Sequence, residues 1–321
     1  MTEAGYFCSY VPWEILAACG WRSIFLAPSH PPSFEVEALF PVPFCPLSKM
    51  VGEAIHSGNF DLFLFALSCD ASRRTREIVE SFFPRQKVLS LEVPFGESAW
   101  RVQRFAQELR NLARALAERK GFGFPEVEMK LGEIIKHSLT ERQALSMLFF
   151  EGKLSGRALL DYERERKIAP ATVASPLLLS GSHLFVEEAL DLLRERGIPV
   201  VEETPRGARR WVVLPSRGEF VPSSDPFLDL ARLYLHYKLP CPREWKNRIK
   251  ALQEVVARIG VRGMVYLYPK FCDPALYDLA RIHASLRIPL LPLEYELTPN
   301  LPQWSTRLDA FLEVIYGEKG H

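Results

Sequence analysis

Three cysteines, Cys45, Cys69 and Cys272, stand where this sequence could do chemistry. Each immediately precedes a stretch of helical character, in FCPLSK, SCDASRR and KFCDPALYDLA. Amide N–H groups at a helix start favour a thiolate, or an anionic metal–sulfur centre, over a neutral thiol. Thiolates are soft ligands that suit iron–sulfur clusters or zinc. Three of them brought to one place would leave one metal position open. The competing reading is that each is a small buried apolar side chain, the usual fate of a free cysteine. Cys8, in FCSY ahead of the first predicted helix, is a fourth candidate. Cys19, in LAAC, falls on an apolar helical face and reads as core, while Cys241, in LPCPRE, sits between prolines in a loop.

The elements that must position two of these thiols occur twice. An apolar run, Met264–Tyr268, predicts a strand that leads through Cys272-Asp273 into a helix over 275–286 and a second strand over 288–293, ending Leu293-Glu294. Asp273 suits the N-cap of that helix, and Pro274 its first turn, where a missing N–H costs nothing. Earlier in the chain a strand over 62–67 leads through Cys69-Asp70 into a helix over 72–83 and a strand over 88–93 that contains Leu91-Glu92. Two such units read as two similar α/β lobes, each with a thiol at the carboxyl edge of a parallel sheet. Open α/β sheets bind their ligands along that edge.

The rest of the chain fits an α/β fold of two lobes joined by a helical connector. The expected boundaries are 1–124, 125–170 and 171–321. The sequence from Gly5 to Gly20 reads as a turn and a helix, followed by a strand over 23–27. The Pro-rich stretch 27–46 reads as a long loop. Residues 97–120 and the charged run 125–167 have helical period. A strand over 177–179 is expected to open into the turn Ser180-Gly181-Ser182, whose N–H groups could hold a phosphate or carboxylate of a substrate. A helix over 186–196, a strand over 198–201 and a basic surface loop or hairpin over 206–224 follow. Two helices, over 226–237 and 243–259, complete the path to Met264.

Composition narrows the function. A chain of 321 residues is long enough for two cores, and 48% hydrophobic with 25% charged residues is a globular balance. A net charge of +1 gives no basic face for nucleic acid or an acidic membrane surface. No apolar run is long enough to span a bilayer, and no signal segment opens the sequence, so a cytoplasmic location is expected. Six cysteines without CxxC pairs argue against a disulfide scaffold or zinc ribbon. GxGxxG, P-loop, GxSxG and HExxH motifs are all missing.

The pieces FCSYVPWEILAACG, FCPLSK, SCD, LLLSGS, KFCDP, IPLLPLEYE and QWSTR followed by AFLE occur in one order over nearly the whole chain. Together they resemble the 2-hydroxyacyl-CoA dehydratase and benzoyl-CoA reductase family, of the 2-hydroxyglutaryl-CoA dehydratase D-component type. The resemblance implies two Rossmann-like lobes with an iron–sulfur cluster, a 4Fe–4S centre, in the interlobe cleft. Cys45, Cys69 and Cys272 match the cysteines that hold it. It also implies an oxygen-sensitive lyase of an anaerobe, an acyl-CoA substrate, an ATP-dependent activator that supplies one electron, and a related or identical subunit as partner. A double-cubane cluster, as in related reductases, would use more cysteines. One of those places matches Cys8, but a second reads Ala27-Pro28. The chain begins almost at the first of these pieces, which points towards an accessory, cluster-carrying subunit as the alternative to an enzyme. Glu14 and Arg307 also match family positions, and both are expected to be structural.

Overall fold

The computed structural model describes residues 2–28, 30–58 and 60–317. In chain order the elements are β1 (Glu3–Tyr6), α1 (Trp13–Ala18), β2 (Arg22–Phe25), α2 (Phe34–Glu37), α3 (Pro46–Ser57), β3 (Leu62–Leu67), α4 (Asp70–Phe82), β4 (Val88–Glu92), α5 (Ala99–Glu118) and α6 (Phe124–Phe150). They continue with α7 (Ala158–Glu165), β5 (Leu177–Gly181), α8 (Val186–Glu195), β6 (Val200–Glu203), α9 (Ala208–Trp211), α10 (Pro226–Arg232) and a π-helical turn over Leu233–Tyr237. The last are α11 (Trp245–Ile259), β7 (Gly263–Pro269), α12 (Asp273–Ser285), β8 (Leu290–Tyr295) and α13 (Leu301–Tyr316). Among the described residues no helix is long and apolar enough to cross a membrane.

The chain divides into two compact units. The first comprises Met1–Phe44, Ser48–Ala144 and Val213–Lys238, and the second Cys45–Leu47, Leu145–Val212 and Leu239–His321. Each contains one four-stranded, all-parallel sheet, ordered β2-β1-β3-β4 in the first and β6-β5-β7-β8 in the second. Counted from its own first strand, each sheet reads 2-1-3-4, so the expected α/β fold with two mainly parallel sheets is what forms. Strands covered on both faces need continuous apolar sequence, and LFLFAL of β3 and LLLSG of β5 are buried at every position. The repeat holds in register. β3–β4 pairs Ala66 with Leu91 and Leu67 with Glu92, and β7–β8 pairs Leu267 with Leu293 and Tyr268 with Glu294.

In both sheets the strand order reverses between the first and third strands, β1 and β3 in one unit and β5 and β7 in the other. Loops leaving the carboxyl ends of those neighbours diverge to opposite faces and open a crevice. Cys8 follows β1 and Cys69 follows β3, while Ser182 follows β5 and Cys272 follows β7.

Several local expectations change. The segment Glu3–Tyr6 is an inner strand, paired with β2 on one side and β3 on the other. EAGY carries no β-branched residue to signal this, and neighbours on both sides override its weak propensity. The Pro-rich stretch contains one helical turn, α2, because Ser33 accepts the Val36 N–H at 3.4 Å as an N-cap. Cys272, not Asp273, occupies the N-cap of α12, with Asp273 in its first turn. The strand expected at 198–201 lies at Val200–Glu203 and ends in two buried carboxylates. Part of the expected surface loop over 206–224 is buried instead. α9 places Arg209, Arg210 and Trp211 inside, since Arg209 has Glu203 to neutralise it.

Candidate functional site

In the first unit the sheet edge carries two thiols. Cys69 caps α4, with its Sγ accepting the Ser72 N–H at 3.4 Å. Ser72 is itself fixed by donating its hydroxyl to the Ala66 carbonyl of β3 at 2.8 Å. On the next turn Arg73 makes a two-pronged contact to Glu92 of β4, at 2.9 and 2.6 Å. Glu92 chiefly keeps that guanidinium charged, with Asp70 and the Cys69 thiolate adding. A half-buried sulfur facing a helix N-terminus and a nearby arginine is an environment that favours the thiolate. Cys8 lies at the same edge, its Sγ 3.3 Å from the Ser68 hydroxyl, one residue before Cys69.

The second unit repeats the arrangement around Cys272, which is half-buried at the start of α12. Its carbonyl accepts the first turn's N–H groups from Ala275 and Leu276, both at 3.0 Å. Phe271, before it, has φ +61°, a left-handed conformation that costs a bulky residue on the order of 1–3 kcal/mol. Cys45, with Pro46 and Leu47, belongs to this unit and is buried. Both thiols bear on one side chain, Tyr295 at the end of β8. Burial pushes the Tyr295 hydroxyl well above its ordinary pKa, Ser182 pulls the other way, and the charges of Cys45 and Cys272 push it further up. Tyr295 donates to the Ser182 hydroxyl in a short hydrogen bond.

The triplet Ser180-Gly181-Ser182 is divided between roles. Ser180 and Gly181 finish β5, and α8 begins only at Val186. Ser180 is fully buried and donates to Glu203 at 2.7 Å. Gly181 has φ +105°, and a Cβ there would come within 2.0 Å of the Leu267 carbonyl oxygen, so no other residue fits. Ser182 is half-buried at the edge, its N–H bound to the Leu267 carbonyl at 2.8 Å.

Beneath this edge lies a buried charge cluster that the sequence reading did not contain. Arg248 donates to Glu203 at 3.1 Å, to Asp278 at 2.6 Å and to Ser180 at 3.0 Å. Arg209 donates to Glu203 at 2.8 Å, and the Tyr266 hydroxyl to Asp278 at 2.7 Å. Burial alone would raise the Glu203 pKa, but Arg209 and Arg248 hold it down at about 2. Its neighbour Glu202 pairs with no arginine among the described residues, and burial pushes it up to about 8. The first unit has a counterpart. Glu14, fully buried in α1, accepts from Arg142 at 2.9 Å, Ser138 at 2.8 Å and Tyr234 at 2.8 Å. Glu14 is therefore structural, as expected, though its partners come from residues 124 to 220 positions away. Only spatial proximity could reveal them.

Tyr295 is the residue at the site that sequence reasoning passed over. The repeat offered one signal, because the position after Leu-Glu is Val93 in the first copy and Tyr295 in the second. Among the described residues no three His, Cys, Asp or Glu side chains gather into a group that could hold a metal ion. The chemistry of the donors nonetheless suits a thiolate-held centre. Cys45, Cys69 and Cys272 each stand beside the first residue of a helix, and two are half-buried.

No curated protein matches the chain. The family described as 2-hydroxyglutaryl-CoA dehydratase, D-component, matches residues 8–155 and 157–315, a span that takes in Cys8, Cys45, Cys69, Ser182, Cys272 and Tyr295. With every strand but β1 and every candidate thiol inside that match, the chain belongs to the 2-hydroxyglutaryl-CoA dehydratase D-component family.

Proposed function

We propose that the protein is an iron–sulfur component of a 2-hydroxyacyl-CoA dehydratase-type system, with Cys45, Cys69 and Cys272 as cluster ligands. The observation that carries this is the repeated placement of Cys69 and Cys272. Each follows the third strand of a 2-1-3-4 sheet and occupies the N-cap position of the helix beyond it. Such a centre, a 4Fe–4S cluster, would supply one-electron chemistry and Lewis acidity towards a thioester carbonyl. The chain's own part is to keep the sulfurs ionised and fixed. The Ser72 N–H and the Arg73 guanidinium serve the Cys69 sulfur, and the Ala275 and Leu276 N–H groups fix the Cys272 backbone through its carbonyl. An ATP-dependent activator as electron donor, an acyl-CoA as substrate, and a related or identical subunit as partner complete the proposal. In that system Ser182, at the same edge, is the member of the Ser180-Gly181-Ser182 triplet open to a ligand.

The test is anaerobic reconstitution with iron and sulfide, followed by metal counts and by turnover of 2-hydroxyacyl-CoA with an activator and ATP. Oxygen-labile iron that is lost in Cys45→Ala, Cys69→Ala and Cys272→Ala is the expected result. Iron-free protein, or stoichiometric zinc on the same thiols, overturns the cluster. Iron with no effect of the variants on a reconstituted complex leaves an accessory subunit. A second reading, a larger cluster that recruits Cys8, is favoured by the 3.3 Å contact of Cys8 with Ser68 beside Cys69. It requires iron per chain to fall in Cys8→Ala while the three-cysteine site stays loaded.

A further inference from the structure

Ser182 holds a donor that the fold does not use. It sits one residue beyond β5, pinned to β7 by its N–H bond to the Leu267 carbonyl at 2.8 Å. Its hydroxyl oxygen accepts from Tyr295, which leaves its own proton to donate. Among the described residues that proton has no acceptor. Tyr295 has little freedom to release it. The tyrosine is buried, its ring meets Phe185 edge-on at 5.0 Å, and its carbonyl accepts the Lys270 N–H at 2.9 Å, two residues before Cys272. A buried hydroxyl thus orients a half-exposed one, at the carboxyl edge where β5 runs beside β7, the strand that leads to Cys272. In the first unit Val93 stands in the place of Tyr295.

We propose that Ser182 donates a hydrogen bond to the sulfur of the thiolate-held centre at this edge, and that Tyr295 is the residue that positions it. The inference rests on the cluster proposed above. A donor to sulfur stabilises the added negative charge of the reduced centre, so it makes that centre easier to reduce. Tyr295 acts only through Ser182, because its own proton is spent on the serine oxygen.

The experiment uses the full chain, reconstituted anaerobically with iron and sulfide, as wild type, Ser182→Ala, Tyr295→Phe and the double variant. Iron and sulfide per chain are counted, and the ratio of reduced to oxidised centre is read spectroscopically at one fixed poise. Ser182→Ala is expected to keep its iron and to lower that ratio about tenfold, the worth of one hydrogen bond to a charged group. Tyr295→Phe is expected to lower it several-fold, and the double variant no further than Ser182→Ala. An unchanged ratio in Ser182→Ala with iron retained overturns the proposal. Fully additive losses in the double variant overturn the positioning role of Tyr295. If wild type takes up no iron, the cluster fails on its own account. The donor is then read on the metal-free protein from the rate of Cys272 alkylation by iodoacetamide at one pH. A several-fold slower rate in Ser182→Ala supports the donor, and an equal rate overturns it.

Discussion

Arg248→Met would expose how the second unit supports its sheet edge. The Arg248 side chain is 1% exposed, and those of Glu203 and Asp278 are fully buried. It meets both oxygens of Glu203 at 3.1 Å, Asp278 at 2.6 Å, Ser180 at 3.0 Å and the Pro240 carbonyl at 3.0 Å. With Glu202 protonated up to about pH 8, two arginines balance two carboxylates. Methionine fills much of the volume but leaves a net buried negative charge. Glu203 keeps Arg209, whereas Asp278 keeps only the Tyr266 hydroxyl, and its Oδ1 already has no partner among the described residues. Breaking one side of a buried pair in this way costs about 3–5 kcal/mol. Amide hydrogen exchange along β5 and β7 reports that loss directly, and should accelerate by more than about a hundredfold. Asp278→Asn added to Arg248→Met removes the stranded charge and should recover part of the loss. Arg196→Met removes a pair to an Asp309 side chain that is 56% exposed, and should cost under about 1 kcal/mol. A loss below about 1 kcal/mol in Arg248→Met, or a double variant no better than the single, would refute the charge-balance argument.

His183 is held neutral, its pKa pushed down to about 3 by burial and by Arg206 and Arg209. The unfolded chain protonates it near 6.5, so the stability it carries is present above that pH and is lost as pH falls towards about 3. Glu202, protonated in the fold up to about pH 8, gains stability as pH falls towards 4.5 and offsets this loss. The His183 contribution is therefore read between pH 7 and 4 as the difference in urea midpoint between wild type and His183→Gln, which should shrink as pH falls. Glu203, held at about 2, adds a further loss below about pH 4.5 that His183→Gln leaves in place. In metal-free native protein, Cys19 should resist alkylation that reaches Cys8, Cys69, Cys241 and Cys272. Cys19 is fully buried with its thiol pushed up to about 12, and those four are half-buried; peptide mapping by mass spectrometry checks it. Gly181→Ala should cost more than about 2 kcal/mol in thermal or urea unfolding, because left-handed backbone and a clash with the Leu267 carbonyl combine. A near-neutral effect there would mean that β5 and β7 can separate locally.

What the sequence revealed follows from how far each interaction reaches along the chain. Strand Leu62–Leu67 and the helices flanking Cys69 and Cys272 were legible because a run such as LFLFAL and the helical period of its successor are local patterns. The thiols themselves were legible because a strand, a Cys-Asp pair and a helix occurred twice. β1 was not, since EAGY has no propensity of its own and becomes a strand only when β2 and β3 flank it. β6 was cut short because Glu202 and Glu203 look like a polar exit from the sheet. They end a buried strand only because Arg209 and Arg248 arrive, the second from 45 residues away.

The same reasoning explains why Tyr295 was missed and why it matters. A tyrosine ending a strand is unremarkable in sequence, and nothing local distinguishes a ring that packs from a hydroxyl that orients. Its role depends on Ser182, 113 residues earlier, and on Cys45, which no strand–helix repeat attaches to this unit. The two copies share the scaffold that presents a thiol, so resemblance between them finds Cys69 and Cys272. Val93 in one copy and Tyr295 in the other is a difference between them, and the positioning role proposed for Tyr295 rests on that difference. On that proposal the scaffold lies in what the two units share, and the group that tunes the centre in what they do not.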